Sequence, residues 1–452
     1  MIDILRLLPS PVIAAFRSNT SILIGGNAFV LVLRLASTIF LTRILDVNAF
    51  GIIGVIATVQ IVIGLASDIG FYPYVVRSAE GDDPRFLDEV WTLRLIRAVV
   101  LAVICFALAH PVAAYVGAPE LVLALQVAAL QPLLEGLSSM TFATAAREGK
   151  IPQLSILDIV VGFVQVTGSV VLCLLWNSFW GMIVAGLISN LVKIFLSYAL
   201  FPHSRRSWCY SRSRRIDLWA FGRHILPSSM ITLAIGQADR IVFVRLLGIS
   251  AFGYYNLASS LASTPLSLTS SYISRILYPA FAETFRTNQQ DMKAIYYSAG
   301  WQFQMLLLVL FGGFTAMSDS IVRIIYDDRY SEVAYYLQIL AIASVLTFRV
   351  AVANEALIAV GKVKNTLVVN IVRLISLIGS GWALYEWEGA KVMVIALPLS
   401  LGIAQIYSWI SLSQSGILSI RKELLIIGIF AIGFLAGWGA DRVILSWIDS
   451  LK

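Results

Sequence analysis

The chain is 452 residues long, 59% hydrophobic and 13% charged, with a net charge of +7 and a mean hydropathy of +0.84. Soluble domains carry about 25% charged residues, so a water-facing globule is excluded and most of the surface is expected to meet lipid. Three cysteines, Cys105, Cys173 and Cys209, lie in two apolar runs and one basic loop and give no disulfide framework.

In chain order, residues 1–19 mix Asp3 and Arg6 into a short apolar stretch broken by Pro9 and Pro11. No small-residue cleavage site follows, so an amphipathic segment on the cytoplasmic face is expected. A bilayer span needs roughly 20 mostly apolar residues. The runs that qualify are 21–43, 50–71, 91–113, 120–142, 155–176, 179–200, 220–246, 250–277, 295–318, 333–357, 364–385, 391–413 and 423–445. That reading has thirteen spans, within a range of 12–14, the split at Asn177–Ser178 being the weakest.

Alternate loops are basic: Arg77 and Arg85; Arg147 and Lys150; Arg205, Arg206, Arg212, Arg214 and Arg215; Arg286 and Lys293; Lys362 and Lys364; Arg421 and Lys422. The opposite loops hold Arg323 and Arg329 among Asp319, Asp327 and Asp328, with Lys391 at an edge. The bias places the N-terminus and the basic loops inside, against anionic headgroups. It also accounts for the positive charge with no nucleic acid as partner.

The longest basic loop lies near mid-chain, and the two halves share sequence. Arg43 to Gly51 aligns with Arg245 to Gly253 at an offset of 202. Leu125-Gln126 and Gly149-Lys150 align with Leu337-Gln338 and Gly361-Lys362 at an offset of 212, as do Ala129 with Ala341 and Leu134 with Leu346. Two matches in order indicate an internal duplication. Each copy holds six spans, an even number, so both enter the membrane in the same direction. The expected fold is an all-α polytopic membrane protein of two six-helix lobes related by a parallel pseudo-twofold repeat. The expected segments are 1–19, an N-terminal lobe 20–200, a basic linker 201–219, a C-terminal lobe 220–413 and an additional C-terminal helix 414–452.

Enzyme motifs are lacking: there is no Walker A loop, no HExxH and no dinucleotide fingerprint, and His110, His203 and His224 are scattered. No enzymatic activity, cofactor or metal is expected. Charge inside the spans is the informative feature, because ionisable groups in the bilayer core face a wet cavity or a partner. Asn27, Arg34 and Thr38 share one helical face; they line a cationic wall, or Arg34 pairs with a neighbouring helix. Asp239 and Arg240 lie deep in the seventh span, where Asp239 serves substrate or a coupling ion, or forms a structural pair. Arg349 and Arg373 are too deep to snorkel easily and line a cavity or pair. Asp68, Glu135, Asp158 and Glu355 lie nearer span ends, where a solvated or structural role is favoured; Asp68 and Glu355 are further candidates for ion coupling, with H+ or Na+ as the ion. The cationic excess suits phosphate, which guanidinium binds bidentately.

The run from Arg34 to Arg77 resembles the opening of bacterial polysaccharide-transporter flippases, of the multidrug, oligosaccharidyl-lipid and polysaccharide exporter superfamily. The run from Gln237 to Ala282 resembles the start of their second lobe, through Asp239-Arg240, Gly248, Phe252-Gly253-Tyr254-Tyr255 and Tyr278-Pro279. Leu337-Gln338-Ile339-Leu340 through Gly361-Lys362 extends the likeness. The resemblance implies two six-helix lobes in a V and alternating access, driven by an ion gradient or by downstream consumption of the cargo. It implies a multi-pass protein of the bacterial inner membrane that flips an undecaprenyl-pyrophosphate-linked oligosaccharide for exopolysaccharide, capsule or O-antigen (lipopolysaccharide) synthesis. Membrane lipids, and a polymerase and chain-length regulator of the same pathway, are the further partners expected. An ion-coupled multidrug exporter of the same superfamily is the alternative.

Overall fold

The computed structural model describes residues 26, 29–147, 150–201 and 205–450. The segment 1–19, Asn27 and His203 lie outside them. The described residues are helical with no strand, and nine helices are long and apolar enough to cross a membrane. A tenth is reached if Gln289–Ser298 and Trp301–Ala316, bent by 42°, form one span. Each run read as a span falls mainly on helix where it is described, with breaks that include those at 67–70, 138–140 and 299–300.

The chain divides into two compact units, 1–237 and 238–452. The first holds α1 (29–44), α2 (Val47–Ala66), α3 (Pro84–Val116), α4 (Leu121–Leu137, interrupted at Ala129), α5 (Ile151–Trp176) and α6 (Trp180–Ala199). Their ends follow local chemistry. Asp46 caps α2 by accepting from the Ala49 N–H at 3.2 Å. Asp83 caps α3 just before Pro84, whose fixed φ suits a first turn. The α5–α6 break is made by Asn177 in the left-handed conformation, φ 47°, which Asn tolerates better than most residues.

Helix α7 (Arg212–Tyr272) runs from one unit into the other and is broken at Gly248, φ 78° and ψ 170°. Gly248 is the repeat equivalent of Asp46, whose ψ is 169°. The helix is broken at the aligned position in both copies, with φ −85° at Asp46 and φ 78° at Gly248. The second match has its own structural echo. Lys150 and Lys362 precede helices with φ/ψ of −74°/49° and −89°/46°. Lys150 N donates to Ala145 O at 2.8 Å, and Lys362 N to Leu357 O at 2.9 Å, carbonyls that are themselves 212 residues apart.

The basic linker is fastened to the first unit through residues 206–214. Arg206 pairs with Asp88 at 3.4 Å, and Ser207 Oγ donates to Asp88 Oδ2 at 2.5 Å. Arg214 pairs with Glu89 at 2.8 Å and Glu80 at 2.7 Å, with its guanidinium 4.4 Å above the Phe86 ring. Burial opposes the Arg214 charge, but hydrogen bonds to Glu89, Tyr74 and Glu80 outweigh it and raise the pKa above its ordinary value.

The second unit holds the rest of α7, α8 (Trp301–Ala316), α9 (Glu332–Ala359), α10 (Val363–Glu388), α11 (Ala396–Ser413) and α12 (Ile420–Ser450). The C-terminal helix α12 is no appendage. A Cβ on Gly433 would meet Val309 O at 2.4 Å, so the absence of a side chain lets α12 lie backbone to backbone with α8. Large apolar side chains such as Phe195, Leu175, Trp382 and Trp387 stand exposed, as a surface solvated by lipid requires.

Candidate functional site

Helix α3 carries Arg94 and Arg97, three residues apart and therefore on one face. Each guanidinium reaches the end of a different helix. Arg97 donates to Gly64 O at 2.9 Å and Ser67 O at 3.0 Å, where α2 ends. Arg94 donates to Glu135 O at 2.7 Å and Ser138 O at 3.2 Å, where α4 ends. The last carbonyls of a helix lack intrahelical donors and carry the negative pole of its dipole. Two cations are thus held in the span by backbone rather than by carboxylates.

Beside them lies a cavity of about 510 Å³ within the first unit. Arg94, Arg97, Asp68, Glu135, Gln60, Gln131 and Asn190 supply its polar wall. Asp68 is fixed by the Gly70 N–H at 2.9 Å, and Glu135 lies 3.5 Å from Lys193. Asp68 thus stands in a polar cavity, and so does Glu135, for which a solvated or structural role had been favoured.

The other residues singled out in the sequence separate into three places. Arg34 is exposed and makes no ion pair among the described residues, while the Thr38 hydroxyl donates to Arg34 O at 2.9 Å. Asn27 lies outside the described residues. In the second unit Asp239 accepts from the Tyr255 hydroxyl, Arg240 donates to Ser259 Oγ at 3.0 Å, and Arg373 lies in α10. Asp239 and Arg240, adjacent in sequence, thus turn to different polar partners.

Arg349 is elsewhere. It is 6% exposed and donates through Nη2 to both oxygens of Glu423, at 2.9 and 3.0 Å, and through Nη1 to Gln304 at 3.4 Å. With its guanidinium engaged by a buried carboxylate, the structural pairing replaces the cavity-wall reading for this residue. Glu355 is half-buried in the same helix, α9.

Arg94 and Arg97 were not among the residues selected from sequence. They sit near the start of an apolar run, where arginines are usually read as snorkelling. Their signal was the i, i+3 spacing on the face that continues through Ala98, Leu101 and Cys105, all lining the cavity.

A family model described as polysaccharide biosynthesis protein matches residues 40–335. The succinoglycan biosynthesis transport protein ExoT of Rhizobium meliloti (strain 1021) is 22% identical over 80% of this chain and 78% of its own length. The lipopolysaccharide biosynthesis protein WzxC of Escherichia coli (strain K12) is 20% identical over 71% of this chain and 65% of its own. Among solved structures, the lipid II flippase MurJ in an inward closed conformation superposes with a TM-score of 0.67 at 10% identity, covering 94% of this chain and 99% of that one. At that identity the superposition speaks for the fold.

Proposed function

The chain belongs to the polysaccharide biosynthesis protein family, and on that premise we propose that it is a flippase carrying a lipid-linked oligosaccharide from the cytoplasmic to the periplasmic side of a bacterial inner membrane. The family match over residues 40–335 carries this reading. The names of the relatives, which concern succinoglycan transport and lipopolysaccharide biosynthesis, set the class of cargo. The fold is of the kind found in a lipid II flippase.

The chemistry asked of the protein is transfer of a charged, hydroxyl-rich headgroup through hydrocarbon. Arg34, Arg240 and Arg373 are the groups assigned to the pyrophosphate, which a guanidinium fork binds through paired hydrogen bonds. The N-terminus and basic loops face the cytoplasm, where they draw the anionic headgroup towards the entry side. Transport proceeds by alternating access of the two units, driven by an ion gradient or by consumption of the delivered cargo. Asp239 is the carboxylate assigned to an ion. A polymerase and chain-length regulator act downstream on the delivered cargo.

Deleting the chain in its host should abolish surface polysaccharide and leave the lipid-linked repeat unit on the cytoplasmic leaflet, unreactive to a periplasmic glycan label. Intact polysaccharide with new drug sensitivity would point instead to a drug exporter. Arg34→Gln should reproduce the deletion at normal protein levels. Full polysaccharide in that variant removes Arg34 from the site.

A further inference from the structure

The cavity of the first unit has a hydrogen-bonding inventory that selects among ligand classes. Asp68 Oδ1 is taken by Gly70 N, which leaves Oδ2. Gln60 uses one Nε2 hydrogen on Ala128 O at 3.2 Å, and Asn190 one Nδ2 hydrogen on Gly186 O at 3.0 Å, so each keeps its amide oxygen and one N–H. Glu135 keeps the oxygen that does not face Lys193. On the donor side, Arg97 has used Nε and Nη2 and keeps Nη1, and Gln131 makes no hydrogen bond among the described residues. Unspent acceptors and unspent donors therefore share one wall.

An anion accepts only, and it would meet two carboxylates and two amide oxygens. A metal cation needs oxygen ligands alone, and it would meet two guanidinium groups. A hydroxyl both donates and accepts, so a molecule bearing several hydroxyls satisfies this wall. The volume of about 510 Å³ lies within the roughly 300–1,000 Å³ of small-molecule pockets.

We propose that this cavity is a binding site for a sugar ring of the cargo headgroup, separate from the arginines assigned to its pyrophosphate. The proposal rests on the flippase reading and adds to it the groups that recognise the glycan. Backbone anchoring of Arg94 and Arg97 keeps the wall preorganised, which limits the ordering cost of binding. The acidic and amide oxygens receive sugar hydroxyls, while Arg97 and Gln131 donate to them.

The test uses the full chain in lipid nanodiscs and two probes. One is the lipid-linked oligosaccharide extracted from cells lacking this chain; the other is undecaprenyl pyrophosphate bearing no sugar. The double variant Gln60→Leu, Asn190→Leu should weaken binding of the glycolipid by at least about tenfold, the scale of one or two lost hydrogen bonds. Binding of the sugar-free lipid should stay within about twofold on the same scale. Equal weakening of both probes overturns the sugar assignment in favour of a phosphate or structural role. Unchanged binding of both leaves a water-filled cavity only and also overturns it. If the wild-type chain binds neither probe, the flippase reading itself falls. Should the double variant fail to fold, Gln131→Leu carries the same test, because Gln131 has no hydrogen bond to lose.

Discussion

The two units start from the same repeated plan and treat buried charge in opposite ways. In the first, Arg94 and Arg97 rest on the carbonyl ends of α2 and α4 beside an open polar space. In the second, Arg349 is sealed against Glu423 from α12, with Gln304 completing its contacts. A carboxylate partner cancels the charge and locks two helices together. A backbone partner holds the guanidinium still and leaves part of its hydrogen-bonding capacity for a ligand. The two intramembrane arginine sites thus differ in kind: one consolidates packing and the other furnishes a surface.

The sharpest way to break that contrast is Glu423→Ala. It strands a buried guanidinium, and the second unit should lose about 3–5 kcal/mol of stability, read as a lower unfolding temperature of the purified chain. Joint replacement, Arg349→Met with Glu423→Leu, should recover most of the loss. A single variant as stable as the wild type would show that the pair does not hold the unit together.

The equivalent joints Asp46 and Gly248 sharpen the comparison further. Gly248→Ala should cost about 1–3 kcal/mol, since φ 78° with ψ 170° is a region essentially reserved for glycine. A Cβ there meets nothing within 4 Å, so the cost is conformational and not steric crowding. Asp46→Ala should cost about 1 kcal/mol through the lost cap. Equal losses at the two sites would mean that both copies make the turn in the same way. The smallest effect is expected at the linker, where Arg214→Ala, removing its partly exposed ion pairs to Glu80 and Glu89, should cost roughly 0.5 kcal/mol. Increased protease nicking near residue 210 would report release of the linker from Glu80 and Glu89.

The helical layout was legible in the sequence because span length and apolar composition are local properties. The duplication was legible in part because matched positions such as Asp46 with Gly248 and Lys150 with Lys362 stand where helices break or begin, and backbone geometry restricts residue choice there. Glu423 as the partner of Arg349 was not legible, as the two lie 74 residues apart on helices that only tertiary packing joins. Arg94 and Arg97 were hidden for a related reason. Nothing in α3 announces that the carbonyl ends of two other helices converge on it. The assignment of the linker to the first unit depended likewise on Asp88 and Glu89, ordinary acidic residues near the start of α3 until Arg206 and Arg214 reach them.

The matched hydrogen bonds of Lys150 and Lys362 bear on ancestry. Each backbone N–H closes onto a carbonyl five residues earlier, Ala145 in one copy and Leu357 in the other. The residues supplying that carbonyl have diverged in size, yet the hydrogen bond has been kept. Such a bond belongs to the single gene that was doubled. The carboxylates and arginines that now set the halves apart have no counterparts at the aligned positions, Ser37 and Thr38 standing where Asp239 and Arg240 stand. They record a later division of labour between twins that began as the same molecule.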